Sequence, residues 1–271
     1  MYTRCTIDAM SGYVVQLPGR SFCTNEFIEH IETLRTFVGI VHPGREIRRV
    51  CSDKFSTFIS SAVAEYRSEH GIEITPTPPH MPWTHRNVEH VHHTSQTGVR
   101  KLTRNLPGKI VRGKPILNRP TDSQQQSIHN AQRYWLFAEI NNNQVRNNTP
   151  ISSRKLSAEG FPVHLSPTQI FFGKLSLNVD INNFHPFGEL CTYLIPKSTR
   201  AAGTKTEPIR ATCIYLFRAD LYNFVIDKFA PSTAGHYVLN CETGKPVHTD
   251  MVHFDSQHFV DSDIYVVPRG C

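Results

Sequence analysis

Residues 2–7 and 13–17 read as two short strands, and Ser11-Gly12 between them is a turn signal. The spacing then changes. Phe27, Ile28, Ile31, Leu34 and Val38 recur every three or four residues, which predicts one buried helix face with Asn25 as its cap and Pro43-Gly44 as its stop. Residues 46–51 read as a strand running into Ser52-Asp53. A second amphipathic helix is predicted from Ser56 to about Glu69, with Phe58, Ile59, Val63 and Tyr66 inward and His70-Gly71 ending it. Ile72, Ile74 and Thr75 make a short strand before the proline-rich loop 76–82, and a third helix is expected from Thr84 or Asn87 into the low hundreds. The order β-β-α-β-α-β-α predicts an α/β arrangement, a mixed sheet with flanking helices.

Beyond this the pattern loosens. Residues 101–126 read as a loop in which Lys101, Arg104, Lys109, Arg112, Lys114 and Arg119 are interleaved with Gly and Pro, either a solvated surface or a phosphate-contacting segment. Residues 134–141 are helical in pattern, with Trp135 on the apolar face, and the polar run 141–148 leads into Thr149-Pro150. After Leu165 short apolar runs at 192–195, 211–217 and 237–239 predict a small all-β module whose strands are contiguous in sequence. Glu242-Thr243-Gly244-Lys245 reads as one of its hairpin connections. The domain boundary falls between Pro150 and Phe184, and no internal repeat is visible.

Composition narrows the class. The 271 residues are 39% hydrophobic and 19% charged, enough to bury a core and unlike a disordered chain. A formal charge of +6 fits a polyanionic partner only weakly. No apolar run approaches the ~18 residues of a membrane span, and MYTRCTIDAMSGY lacks the basic and apolar regions of a signal peptide, so a nuclear or cytoplasmic protein with no membrane partner is expected. The seven cysteines, Cys5, Cys23, Cys51, Cys191, Cys213, Cys241 and Cys271, form no CxxC pair and read as reduced, mostly buried thiols. His80, His85, His90, His92 and His93 are dense, but of these only His90 and His93 have the spacing to share a helix face, and no zinc motif occurs.

Two carboxylates draw attention. Asp53 closes a predicted strand and Glu89 lies near the start of a predicted helix, with thirty-five residues between them. Carboxylates converging from a strand end and a helix can share divalent ions that activate a hydroxyl nucleophile in phosphoryl transfer. By spacing alone the signal is weak, because most acidic residues are solvated surface groups.

The surrounding blocks resemble the integrase region of the copia-type long-terminal-repeat retrotransposon polyprotein. Ser52, Asp53 and Phe58 match its S-D-N-G-x-E-F, Gly71-Ile72 its G-I strand, and Pro79, Pro82 and Glu89 its P-Y-T-P-Q-Q-N-G-V-A-E-R. Downstream, WLFAEINNNQVRNNTP, LSPTQIFFGK, FHPFGELCTYLIPK, ATCIYLF and HYVLNCETGKPVHTDMVHFD are similar to further family blocks in family order. The chain departs at Lys54-Phe55 and His85-Arg86, where the family writes N-G, and at His90, His92 and His93, where it carries basic residues. The family's first catalytic Asp precedes the strand with which this chain opens. Asp8 aligns with a non-catalytic acid beside a turn, and a triad of Asp8, Asp53 and Glu89 is the competing arrangement.

The resemblance implies an RNase H-like catalytic core over 1–150 lacking its first strand and carrying the basic insertion 101–126. A linker at 151–183, an SH3-like β-barrel at 184–256 and a tail at 257–271 would follow. It implies DNA integration, with Asp53 and Glu89 as catalytic ligands of Mg²⁺ or Mn²⁺. Its DNA partners would be retroelement ends and target DNA, contacted through Lys101, Arg104, Lys109, Arg112, Lys114 and Arg119, in a chain able to form a homo-oligomer. With the bridging Asp missing, a catalytically defective integrase derivative is expected. The alternatives are a non-enzymatic DNA-binding or interaction module on the same fold, and an open reading frame with no stable function.

Overall fold

A computed structural model describes residues 2–19, 21, 23–52, 60–76, 86–104, 109–111, 114–116, 123–150, 165–173, 184–195, 210–219, 235–254, 258–260 and 266–268. Helices and small sheets are mixed, as the pattern predicts. Two compact units interleave along the chain. One comprises Met1–Thr94, Arg146–Asn178 and Phe224–Ala230; the other comprises Ser95–Val145, Val179–Asn223 and Pro231–Cys271.

In the first unit, β1 (Tyr2–Ile7) pairs antiparallel with β2 (Val14–Gly19), Ile7 opposite Val14. Helix α1 (Thr24–Val41) begins after Cys23, two residues earlier than the Asn25 cap predicts, because Glu26 reaches back to the Ser21 N–H and ties the entry. Its buried stripe is Phe27, His30, Ile31, Leu34 and Phe37. β3 (Arg49–Ser52) pairs with β4 (Glu73–Pro76), and the ladder is parallel, so the intervening α2 (Ser61–His70) is a crossover helix. α2 starts five residues later than predicted, where Ser60 Oγ caps the Val63 N–H; Phe58 and Ile59 lie outside the described residues. Gly71, at φ 62°, ends it in the left-handed region that a side chain disfavours. Val15, Leu17, Ile31, Leu34, Phe37, Val63, Ile72 and Ile74 form one core.

The single mixed sheet expected from the element order is not formed among the described residues. β1–β2 and β3–β4 are separate two-stranded ladders, since no described strand pairs with both. A late segment completes this core. Helix α5 (Pro167–Phe172), capped by a reciprocal Ser166–Gln169 box, brings Phe171 and Phe172 against Tyr13 and Phe37; the Tyr13 and Phe171 rings stack with centroids 4.7 Å apart.

In the second unit, β7 (Leu190–Leu194), β8 (Arg210–Arg218), β9 (His236–Asn240), β10 (Pro246–Thr249) and β11 (Val252–Phe254) form an antiparallel sheet in the order β10-β9-β8-β7-β11. Among the described residues this sheet is open, not the closed barrel expected. The hairpin predicted at 242–245 is present: Asn240 Oδ1 accepts from the N–H groups of Glu242 and Thr243, both at 2.8 Å, and Gly244 sits at φ 66°. β8 is buried on both faces. Cys213 and Tyr215 face one cluster; Ile214 and Leu216 face another that includes Tyr134 and Ala138.

Those last two residues belong to α4 (Ser123–Asn148), which overturns one expectation. The polar run 141–148 is its final turns rather than a connection, with Asn141, Asn143, Gln144, Asn147 and Asn148 all buried. The β module therefore shares its core with a helix some seventy residues upstream and is not self-contained. The stretch 101–126, expected to be loop-like, carries secondary structure at its described residues. It holds the end of α3 (Arg86–Arg104), β5 (Lys109–Val111), β6 (Lys114–Ile116) and the start of α4. β5 and β6 form an antiparallel pair separated by only Arg112-Gly113. β12 (His258–Val260) and β13 (Val266–Pro268) make a last two-stranded ladder.

Candidate functional site

The candidate site is built on β3, α3 and the β1–β2 turn. β3 runs parallel to β4 and ends at Ser52, so Asp53 follows directly from the carboxyl end of a strand; Asp53 itself lies outside the described residues. At the opposite, amino end of the same ladder Arg49 and Glu73 pair at 2.9 Å, and the Arg49 and Thr75 hydrogen bonds lower the Glu73 pKa.

α3 is amphipathic. Val91, Ser95, Val99 and Thr103 recur every four residues and are buried, while Glu89, His90, His92, His93, Arg100 and Lys101 are exposed. Glu89 lies in the first turn, where a carboxylate complements the helix dipole. Along the part of α3 in the second unit, Gly98 permits close approach to α4: a Cβ there would stand 2.5 Å from Asn142 Oδ1. Ser95 Oγ donates to the buried Glu139 carboxylate at 3.4 Å.

Asp8 has a different local task. Its Oδ2 accepts from the Ser11 N–H at 2.7 Å and the Ser11 hydroxyl at 2.6 Å, and its own N–H donates to Tyr13 O at 2.9 Å. These bonds close the β1–β2 hairpin, as Asp commonly does in turns. Among the described residues no group of three or more His, Cys, Asp and Glu is placed to hold a metal ion. The described carboxylates alone do not make a three-ligand set.

Of the six basic candidates, Lys101 is exposed on α3 and Arg104 is its last residue. Lys109 and Lys114 belong to β5 and β6, whereas Arg112 and Arg119 lie outside the described residues.

Near β1 lies a polar cluster that the sequence reading passed over. Arg4 pairs with Glu26 and donates to Ser21 O at 2.6 Å. The Ser21 N–H, then Arg4, hold the Glu26 carboxyl down at about 2. His30, buried under β1, contacts Thr6 Oγ1 at 2.8 Å, and burial followed by the Arg4 charge depresses its pKa to about 4.

A second missed set is the buried amides of α4. In the second unit Asn141 Nδ2 donates to Leu216 O, and the Gln144 amide both donates to Arg218 O at 2.8 Å and accepts from its N–H at 3.2 Å. In the first unit Asn147 serves Val14 in the same way. Their three-residue spacing, Asn141-Gln144-Asn147, was the signal available in the sequence.

No protein-family model matches the chain, and no curated protein sequence matches it. Among solved structures, the simian T-cell lymphotropic virus intasome in complex with PP2A regulatory subunit B56 gamma contains a chain similar at 13% identity. The match covers 93% of this chain and 71% of that one, with a TM-score of 0.40. Among the described residues, no helix is long and apolar enough to cross a membrane.

Proposed function

We propose that this chain derives from a copia-type retrotransposon integrase, binds DNA through its basic residues, and does not catalyse strand transfer. The ordered sequence blocks support the derivation. The parallel β3–β4 pair with its α2 crossover, and the Glu89 position in the first turn of α3, agree with an RNase H-like core; the antiparallel sheet β7–β11 agrees with an SH3-like module left open. The observation that carries the catalytic reading is the Asp8 carboxylate, whose Oδ2 already holds the Ser11 N–H and hydroxyl. Of the three candidate carboxylates Asp53 and Glu89 then remain as ligands for Mg²⁺ or Mn²⁺, and two single carboxylates are a poor site for an ion that dehydrates reluctantly.

Binding should be tolerant of sequence and steeply dependent on salt, because Lys101, Arg104, Lys109, Arg112, Lys114 and Arg119 offer phosphate contacts rather than base readout. Titration of unrelated duplexes between low and physiological salt tests this. A flat salt response, or strong preference for one duplex, would overturn it.

A further inference from the structure

Two buried thiols face each other across one ladder of the second unit. Cys191 on β7 stands directly opposite Cys213 on β8, and their Sγ atoms are 3.3 Å apart. Directly opposed residues of an antiparallel ladder have Cα atoms ~4.5 or ~5.5 Å apart, and both values lie inside the range that a disulfide spans. Cys213 Sγ also lies 3.3 Å from Cys191 O, as a thiol donor would. Cys241, just beyond β9, is buried within the same unit. We propose that Cys191 and Cys213 are a peroxide-sensitive pair that oxidation converts to a cross-strand disulfide, fixing β7 to β8.

The chemistry balances with a peroxide as the two-electron oxidant. The thiolate of one cysteine attacks a peroxide oxygen, breaking the O–O bond to give a sulfenic acid and, from hydrogen peroxide, water after proton uptake. The facing thiolate then attacks that sulfur, forming the S–S bond; its lost proton and the departing hydroxyl make a second water. Both sulfurs are enclosed, and hydrogen bonding between them, then burial, raise the Cys191 pKa. Reaction therefore waits on local opening. Among the described residues β11 pairs with the other edge of β7 at three positions, Phe254 opposite Cys191, so it is the short ladder whose release would uncover the pair.

Treating the whole chain with hydrogen peroxide and mapping peptides without reduction tests this directly. The expected product is the Cys191–Cys213 cross-link, with a mass loss of about 2 Da and a melting midpoint above that of the reduced chain. Weakening β11 by Phe254→Ala should speed its formation several-fold, and Cys241→Ser should leave the cross-link in place. A bond to Cys241 instead, or sulfinic acid at either cysteine with no cross-link, would overturn the pairing. Equal rates in the wild-type and Phe254→Ala chains would overturn the opening route. The peptide map of the wild-type chain decides the main point whether or not either variant folds.

Discussion

The side-chain amide of Asn147 is paired to the backbone of Val14: Oδ1 accepts the Val14 N–H and Nδ2 donates to the Val14 carbonyl, both at 2.9 Å. Val14 is the β2 residue opposite Ile7, so the amide continues the ladder where β2 has no strand on its far side among the described residues. Both residues are buried, and an unpaired peptide group there has no water to turn to.

Asn147→Leu should destabilise the chain by about 2–4 kcal/mol, because it leaves one buried donor and one buried acceptor of Val14 without their partner. Urea unfolding of the variant checks this. A loss below about 0.5 kcal/mol would show that the bracket contributes little.

Acid should weaken the first unit through His30. An unfolded histidine takes up a proton near pH 6.5, whereas native His30 does so only near 4. The unfolded state therefore binds more protons between those values. The stability that neutral His30 contributes is complete above about pH 6.5 and is lost as pH falls toward 4, by about 3 kcal/mol in all. His30→Gln should flatten that part of the stability–pH curve, and an unchanged curve would count against the assignment.

Gly98→Ala should cost about 0–2 kcal/mol: the new Cβ would stand 2.5 Å from Asn142 Oδ1 and turn that amide aside, partly offset by the ~1 kcal/mol that Ala gains over Gly within a helix. Pairing it with Asn142→Ala removes the obstructing atoms. The double-mutant cycle should then show a favourable coupling of about 1 kcal/mol, and strict additivity would place the strain elsewhere.

Asp8→Ala should lower stability by about 1–2 kcal/mol by freeing the Ser11 N–H and hydroxyl, and Ser11→Ala should do part of the same damage. Neither the wild-type chain nor Asp8→Asn is expected to transfer strands with Mg²⁺ or Mn²⁺. The assay is strand transfer by wild type beside Asp8→Asn and Glu89→Gln. Robust turnover that vanishes in both variants would make Asp8 a third catalytic carboxylate.

The segment 184–260, expressed alone, should give a broad, weakly cooperative melt. Removing α4 exposes the face of β8 that Tyr134 and Ala138 cover, including Ile214 and Leu216. A sharp transition from this fragment would show that the sheet holds a sufficient core by itself.

Local physics accounts for what was legible in the amino-acid order. The β1–β2 hairpin follows from two short strand-like runs either side of Ser11-Gly12, the buried face of α1 from the recurrence of Phe27, Ile31 and Leu34, and the β9–β10 connection from the turn residues Glu242-Thr243-Gly244-Lys245. Each depends on residues within a turn or two of one another. Glu89 was placed correctly near a helix start for the same reason, and its family role rests on neighbouring motifs rather than on contacts. Tertiary structure decided the rest. Residues 141–148 read as a polar connection because nothing local says that Asn147 will meet Val14, 133 residues away, or Gln144 will meet Arg218, 74 residues away. Cys191 and Cys213 read as separate buried thiols until the β7–β8 register set them face to face. Periodicity reports which side of an element is buried, but a hydrogen bond or a sulfur contact also needs the identity and register of a distant partner, and only the folded chain supplies those.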